Sequence, residues 1–354
     1  MNHEWLFLPM EDSGNLLGDT AALRARLQED GYLYLRDVLD PDAVLDLRRA
    51  MLEVLARHEW IRGGLALMEG QAVMQPVHES MPEFAPAYDD LQRVEEFHTL
   101  AHHPDLIAVM NAVLGQTAFP HPLKICRVGF PEHYEASTPP HQDFPNNQGT
   151  PNLTAAWIPV GDIPMDLGPV AILRGSHKYG VLSLAGHMGP GRRKARVPLK
   201  MLEELRWVTT DFAAGDVLLF PSCTVHAALH NITEFNLRLS VDFRYQLEGE
   251  ALTEGCLQPH FQRITWDDVY AGWRSDRYQY YWKDLDYDVV PFEDYPVDRG
   301  DRALEDQFGY TPDEWVEILT VDKRWEARHR RRLERLADTA DASDAPQPID
   351  DRSV

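Results

Sequence analysis

The stretch Thr138-Pro139-Pro140-His141-Gln142-Asp143-Phe144 decides how this chain is read. It sets a histidine and an aspartate two residues apart. On an extended strand alternate side chains share a face, so His141 and Asp143 are expected to project together. An imidazole and a carboxylate on one side form two thirds of a divalent-metal site. The tripeptide alone is common, so the rest of the chain must supply a third ligand and a reason for the site.

The surroundings of this stretch are β-rich. From Phe119 onward short apolar runs alternate with Gly, Pro and Asp turns. Strands are expected over 123–130, 152–160, 170–173, 217–220 and 237–245. Many short strands without intervening helices indicate a sandwich or jelly roll, here spanning 119–248. The third ligand is sought on a later strand. His226 directly follows the 217–220 run, whereas His230, beside Asn231, reads as a turn residue. Twelve residues after His226 comes Arg238. On its strand Arg238, Ser240, Asp242 and Arg244 share one face, and Leu239, Val241 and Phe243 take the other. Polar groups turned into a barrel are costly unless they bind something. A buried guanidinium suits a carboxylate, which it grips with two parallel hydrogen bonds. Arg244 is the alternative on the same face, and a structural ion pair is the competing reading for either arginine.

Two imidazoles and one carboxylate occupy one face of an octahedral ion and leave three positions open. That set suits non-haem Fe(II) oxygenases. A 2-oxo acid fills two positions through its carboxylate and keto oxygens, and O2 takes the third. An arginine would then hold the far carboxylate of 2-oxoglutarate. Oxidative decarboxylation would give succinate and an oxidant able to attack a nearby C–H bond.

These residues carry a resemblance. His141-Gln142-Asp143, Thr154-Ala155-Ala156-Trp157, Gly168-Pro169-Val170 leading to Gly175-Ser176-His177, Thr224-Val225-His226 and Arg238-Leu239-Ser240 follow one another in the order seen in the phytanoyl-CoA dioxygenase family. The opening Asp30-Gly31-Tyr32-Leu33-Tyr34-Leu35 and the helix after Asp40-Pro41 also resemble its N-terminal part. The resemblance covers roughly residues 20–250. Each motif is loose alone, and five in order are specific. The resemblance implies a mainly β double-stranded β-helix (a cupin-like jelly roll) with flanking helices, and Fe(II)/2-oxoglutarate-dependent hydroxylation of a small organic molecule. It implies His141, Asp143 and His226 as iron ligands, and Arg238 aided by Ser240 at the far carboxylate of 2-oxoglutarate. It also places Trp157 beside the cosubstrate. Halogenases of the family replace the metal carboxylate with a small residue, so Asp143 argues for hydroxylation or a related oxidation.

Other positions read more plainly. Gln142 should point away from the metal, and His177, after a Gly-Ser turn, should be structural. Lys124 and Arg127 face opposite ways on one strand, so at most one reaches a pocket. Cys126 and Cys223 read as small apolar fillers. The aromatic run from Trp273 to Trp282 reads as a satellite core.

Working outward, Thr20–Gln28 looks helical, Gly31 breaks it, and Tyr32–Leu35 reads as a strand. Asp40 is placed as an N-cap with Pro41 at the first helical position, and Val44, Leu47, Met51 and Leu55 fall on one face behind it. A second helix is expected over 104–114, ended by Gly115. Residues 60–90 carry little period and are read as a long loop lining a pocket or simply a connection. Thr265-Trp266-Asp267-Asp268 and Thr311-Pro312-Asp313-Glu314 look like capping boxes, the second opening a helix to about Leu336. The basic run Arg328–Arg332 falls late in that helix and suits its dipole. A single catalytic domain is therefore expected over 1–336, with a helical part at 20–118, the jelly roll at 119–248 and an extension at 249–336. Residues 337–354, rich in Asp, Ala, Pro and Ser, are expected to be a disordered tail.

Composition narrows the partners. The chain has 354 residues, 44% of them hydrophobic, enough for a sizeable core. With 57 acidic and 34 basic residues its formal charge is −23, which disfavours nucleic acid and anionic membrane as partners and favours a small-molecule substrate. Three cysteines form neither a disulfide framework nor a zinc motif, so a reducing, cytoplasmic setting is expected. The first ten residues do not read as a signal peptide, and no apolar run reaches a membrane span. A cupin-like binding or sensor protein that holds a metal or oxo acid without turnover is the alternative to an enzyme. Desaturation, ring closure and epimerisation are other outcomes of the same chemistry. A buried guanidinium beside the metal separates enzyme from holder, because simple metal binding does not need one.

Overall fold

The computed structural model describes residues 7–115, 117–133, 136–186 and 193–298. The expected helix from Thr311, the basic run and the tail after 337 lie outside the described residues.

Two sheets face each other. The larger runs Leu33–Leu35, Val217–Pro221, Thr154–Pro159, Arg238–Leu247, with Ala118–Pro120 and Ile125–Gly129 both pairing on the far edge of Arg238–Leu247. All of its pairings are antiparallel. The smaller runs Phe7–Pro9, Trp207–Thr209, Val170–Leu173, His226–Ala228. Strands that alternate between two facing sheets make the jelly roll expected from the strand pattern.

Alternation along Arg238–Leu247 explains the layering. Leu239, Val241, Phe243 and Tyr245 turn to the helical side. There they meet Val44, Leu47, Met51 and Leu55 from helix Pro41–Arg57 and Phe97 from helix Glu95–Leu100. Full burial of such side chains stabilises the fold by roughly 1.5–3 kcal/mol each. The opposite face of the sheet looks into the barrel. Ala155, Trp157, Leu218 and Phe220 pack there against Val170 and Ile172 of the smaller sheet. Arg238, Ser240, Asp242 and Arg244 point to the same interior and are buried.

The helical start follows the sequence. Asp40 accepts from the Asp42 amide with Pro41 at the first position, and helix Pro104–Leu114 ends at Gly115 with φ +103°. Helix Thr20–Asp30 ends at left-handed Gly31, where a side chain would meet His177 Nδ1 at 2.2 Å. His177 in turn donates Nε2–H to the Gln28 carbonyl, so it staples this helix end, as its structural reading requires.

Two local expectations need correction. Asp143 is not on a strand: it has α-helical dihedrals (φ −73°, ψ −35°) and leads into the short helix Phe144–Asn147. The 60–90 loop contains a 3-10 turn, Gly64–Glu69, and a helix, Phe84–Leu91.

After the barrel, Ala251–Thr253 pairs in parallel with Asp288–Val290. The Thr265–Asp268 capping box is present and opens helix Trp266–Tyr270. Trp266, Val269, Tyr270 and Trp282 form a separate cluster with Trp273, Tyr280 and Tyr281, the satellite core read from the aromatic run. This segment docks through Arg263 on Asp89, Trp273 Nε1–H on the Arg93 carbonyl and Tyr281 O–H on the Pro120 carbonyl. Among the described residues no helix is long and apolar enough to cross a membrane.

Candidate active site

His141 and His226 are 85 positions apart in sequence and directly opposite in space. Each donates its backbone N–H to the other's carbonyl, at 2.9 and 3.0 Å, so they form one antiparallel hydrogen-bonded pair. Opposed residues of such a pair share a face, and the two rings lie 4.0 Å apart. The turn into Phe144–Asn147 then swings Asp143 back over the same spot. One donor atom from each of His141, Asp143 and His226 lies within 4.8 Å of the others, and all three residues are buried.

The hydrogen bonds around the rings fix which nitrogen is free. His141 Nδ1 is 2.9 Å from the Pro139 carbonyl, and His226 Nδ1 is 3.0 Å from the Thr224 carbonyl. A carbonyl only accepts, so each Nδ1 carries the hydrogen and each Nε2 presents a lone pair. Burial drives the pKa of both imidazoles down, and for His141 the neighbouring His226 adds to this, so both are neutral. For Asp143 burial acts upward. The charge and hydrogen bonds of the Arg244 guanidinium outweigh it and hold the carboxyl well below the usual carboxylate range. Two neutral imidazoles and one ionised carboxylate converging from one side fit a divalent ion with open positions.

Arginines organise the space beyond the cluster. Arg244 Nη2 donates to Asp143 Oδ1 at 2.9 Å and Nε to Oδ2 at 3.2 Å, with both side chains buried. Arg127, opposite Ser240 on the neighbouring strand, is paired with Asp242. Arg238 is 7% exposed, and its Nη1 donates to Ser240 Oγ at 2.7 Å. Among the described residues it has no carboxylate partner, and burial lowers its pKa to about 10. Asp143 and Asp242 thus engage Arg244 and Arg127, Glu79 on the wall of both cavities also acts on Arg127, and Arg238 keeps no ion pair among the described residues. Gly129 leaves room for it: a side chain there would come within 3.3 Å of Arg238 Nε.

Two cavities adjoin in this interior. An open one of about 910 Å³ reaches His141, Asp143 and Arg244 and widens past Arg193, Phe261, Gln262 and Phe292. A small one of about 60 Å³ ends on Arg238 and is walled by Val77, His78, Phe84 and Tyr88. Glu79, Ile125, Arg127 and His260 line both. Parts of the 60–90 segment and of the chain after residue 250 therefore form cavity walls.

The structure brings His141, Asp143 and His226 together and sets Arg238 and Ser240 side by side on the interior face. His230 is elsewhere, bonded to Ser137 Oγ. Gln142 faces away: its amide donates to the Gly180 and Cys223 carbonyls and accepts from the Leu182 amide. Of the two cations near residue 125, Arg127 reaches the cavities. Lys124 is buried behind them against the His121 carbonyl and the Tyr281 hydroxyl. Trp157 stands opposite Asp242, its indole packed edge-on to Phe212 at 4.8 Å, and it lines neither cavity. That is the packing of a core residue. Sequence reading missed the contributions of Glu79, Arg193, His260 and Phe261, whose positions depend on how distant loops close over the barrel.

Comparison with known proteins fixes the class. The phytanoyl-CoA dioxygenase family model matches residues 27–240, and the chain belongs to that family. It is a non-haem Fe(II)/2-oxoglutarate-dependent dioxygenase, one that hydroxylates a small organic substrate with release of succinate and CO2. A 1-deoxypentalenic acid 11-beta-hydroxylase of Streptomyces arenae is 31% identical over 254 residues, covering 68% of this chain and 86% of its own. Its namesake in Streptomyces exfoliatus is 27% identical over 255 residues, covering 66% and 84%. Among solved structures, the epimerase SnoN in complex with Fe3+, alpha ketoglutarate and nogalamycin RO aligns over 66% of this chain and 86% of its own, with 24% identity and a TM-score of 0.49.

Proposed function

We propose that His141, Asp143 and His226 hold the iron, that Arg238 with Ser240 grips the far carboxylate of 2-oxoglutarate, and that the substrate is a small, mostly apolar organic acid. The observation that carries this reading is Arg238, a buried guanidinium without a carboxylate on the same interior face as the metal cluster. A cupin-like protein that only held a metal would not keep such a charge out of water, because desolvating it is costly. Iron at the cluster supplies the redox chemistry when bound. The protein contributes the rest. The Pro139 and Thr224 carbonyls orient the imidazoles, Arg244 keeps Asp143 ionised, and the cavity walls would seat the substrate beside the cluster.

The open cavity supports the substrate class. Its outer wall offers Val289, Val290, Phe292 and Phe261 to an apolar body. Arg193 lies in the same wall over the Phe292 ring, and its carboxylate partner Asp294 is 93% side-chain exposed. Such a pair is weak, so Nη2 can turn to a substrate carboxylate while Nη1 stays on the Pro145 carbonyl. The Streptomyces relatives are named for hydroxylation of an acid, which agrees with this reading. Free Cys126, Cys223 and Cys256 support a cytoplasmic setting.

The test is anaerobic binding of Fe(II) and then aerobic turnover. Fe(II) should bind at one per chain, and His226→Ala should abolish this while His230→Ala leaves it intact. The reverse pattern would overturn the ligand assignment. With 2-oxoglutarate and O2, succinate release should rise on adding 1-deoxypentalenic acid and should not rise with its methyl ester. Equal stimulation by acid and ester would remove the carboxylate from the substrate description.

A further inference from the structure

We infer that Arg244 is a positioning residue that would keep Asp143 a one-oxygen ligand, and so would hold open the coordination position that is left for O2 once 2-oxoglutarate has taken two. This rests on the metal assignment above and goes beyond it. Three observations converge. First, Arg244 donates to both oxygens of Asp143 through separate nitrogens, at 2.9 and 3.2 Å, so each oxygen is claimed before any metal arrives. Second, both side chains are buried, with 3% and 4% of their surface exposed, so solvent does little to screen the pair. Third, Arg244 Nη1 is buried without a hydrogen-bond partner, and the residue lines the cavity that reaches the cluster. Its guanidinium therefore fronts the ligand space and is not spent on the fold alone.

The chemistry follows. A carboxylate free of other partners can chelate a cation through both oxygens. Asp143 chelating in that way would fill one of the three positions left beside two imidazoles and a single oxygen. A 2-oxo acid would take the two that remain, and none would be left for O2. With Arg244 in place, one oxygen turns to the metal and the other stays hydrogen-bonded to the guanidinium, as ligating carboxylates commonly are. The fork geometry matters, because a lysine offers a point charge where arginine offers two parallel donors.

The experiment uses the full chain loaded with Co(II), whose visible absorption reports the coordination sphere, followed by anaerobic titration with 2-oxoglutarate. The variants are Arg244→Lys and Arg244→Met, with Arg238→Met for comparison. Arg244→Lys should bind Co(II) within about threefold of wild type, yet its spectrum should change before 2-oxoglutarate is added. Its 2-oxoglutarate Kd should stay within about threefold of wild type, while nitric oxide, standing in for O2, should bind the Fe(II)- and 2-oxoglutarate-loaded variant about tenfold more weakly than wild type, within the range for loss of a partner that orients a metal ligand. Arg244→Met should change further in the same direction. Arg238→Met should weaken 2-oxoglutarate while leaving the starting Co(II) spectrum unaltered. Should Arg244→Met fail to fold, the lysine variant decides. An unaltered Co(II) spectrum in Arg244→Lys, or nitric oxide affinity of its Fe(II)- and 2-oxoglutarate-loaded form within twofold of wild type, overturns the inference. Failure of the metal assignment looks different: wild-type protein would then not take up Co(II), or His226→Ala would take it up equally well.

Discussion

Arg238 and Arg244 lie six residues apart on one strand and one face, yet they stand in opposite circumstances. Arg244 grips a carboxylate with two hydrogen bonds and stands beside the metal cluster. Among the described residues Arg238 has a serine hydroxyl as its side-chain partner and faces the end of a small cavity. The alternation of a β-strand puts both inside and says nothing of what each meets there. What separates them is a carboxylate brought from Asp143, which is 101 residues away from Arg244 in sequence. A third buried cation, Lys124, sharpens the lesson. It also lacks a carboxylate partner among the described residues, but it opens onto neither cavity. A buried unpaired charge marks a ligand site only where space and a second recognition group adjoin it.

This contrast is broken most severely at Asp143. Asp143→Ala should abolish metal binding, and by stranding the buried Arg244 it should cost about 3–5 kcal/mol of stability in the metal-free protein. Arg238→Met, which strands nothing, should leave the metal-free protein as stable as wild type or about 1 kcal/mol more so. Chemical denaturation of both variants checks the pair, and similar losses would erase the distinction between the two arginines.

Lys124 is the next largest effect. Burial pushes its pKa down to about 7 from an ordinary value of 10.5. Between those values the unfolded chain binds more protons than the folded one, so stability rises with pH across that window. The penalty is full below about pH 7 and gone above about 10.5. Lys124→Met should therefore stabilise the protein by roughly 2 kcal/mol or more at pH 7, with the gain fading toward pH 10. Melting curves of both proteins across this range provide the check. A gain that does not fade would mean that packing, not charge, explains it. A smaller effect is expected at Gly129. Gly129→Ala crowds Arg238 Nε at 3.3 Å, and it should weaken 2-oxoglutarate binding a few-fold, about 1 kcal/mol, with metal affinity unchanged.

Much of this was legible in the sequence because it rests on local signals. The strand with four polar residues on one face, the Asp40-Pro41 and Thr265–Asp268 helix starts and the Gly31 and Gly115 stops all follow from short-range chemistry. The choice of His226 over His230 also came from position, since His226 begins a strand and His230 does not. The reading of Asp143 failed locally. The alternation rule assumed an extended chain, but helix Phe144–Asn147 begins at the next residue, with Pro145 in its first turn. The site survives because a helical turn also brings the carboxylate back beside the imidazole. Helix Phe84–Leu91 was hidden because it has no side-chain cap and carries Pro86 within its first turn. The grip of Arg244 on Asp143 and the cavity wall around His260 depend on contacts between distant segments, which no local pattern encodes.

The central claim is that the unpaired charge of Arg238 is the seat of the cosubstrate. Its most direct test is equilibrium binding of 2-oxoglutarate to Mn(II)-loaded protein, wild type against Arg238→Met. The account predicts unchanged Mn(II) affinity and a loss of 2-oxoglutarate affinity of about 10- to 150-fold, the worth of a charge-assisted hydrogen bond of about 1.5–3 kcal/mol. Undiminished 2-oxoglutarate affinity in the variant, or an equal loss of metal and cosubstrate, would contradict it.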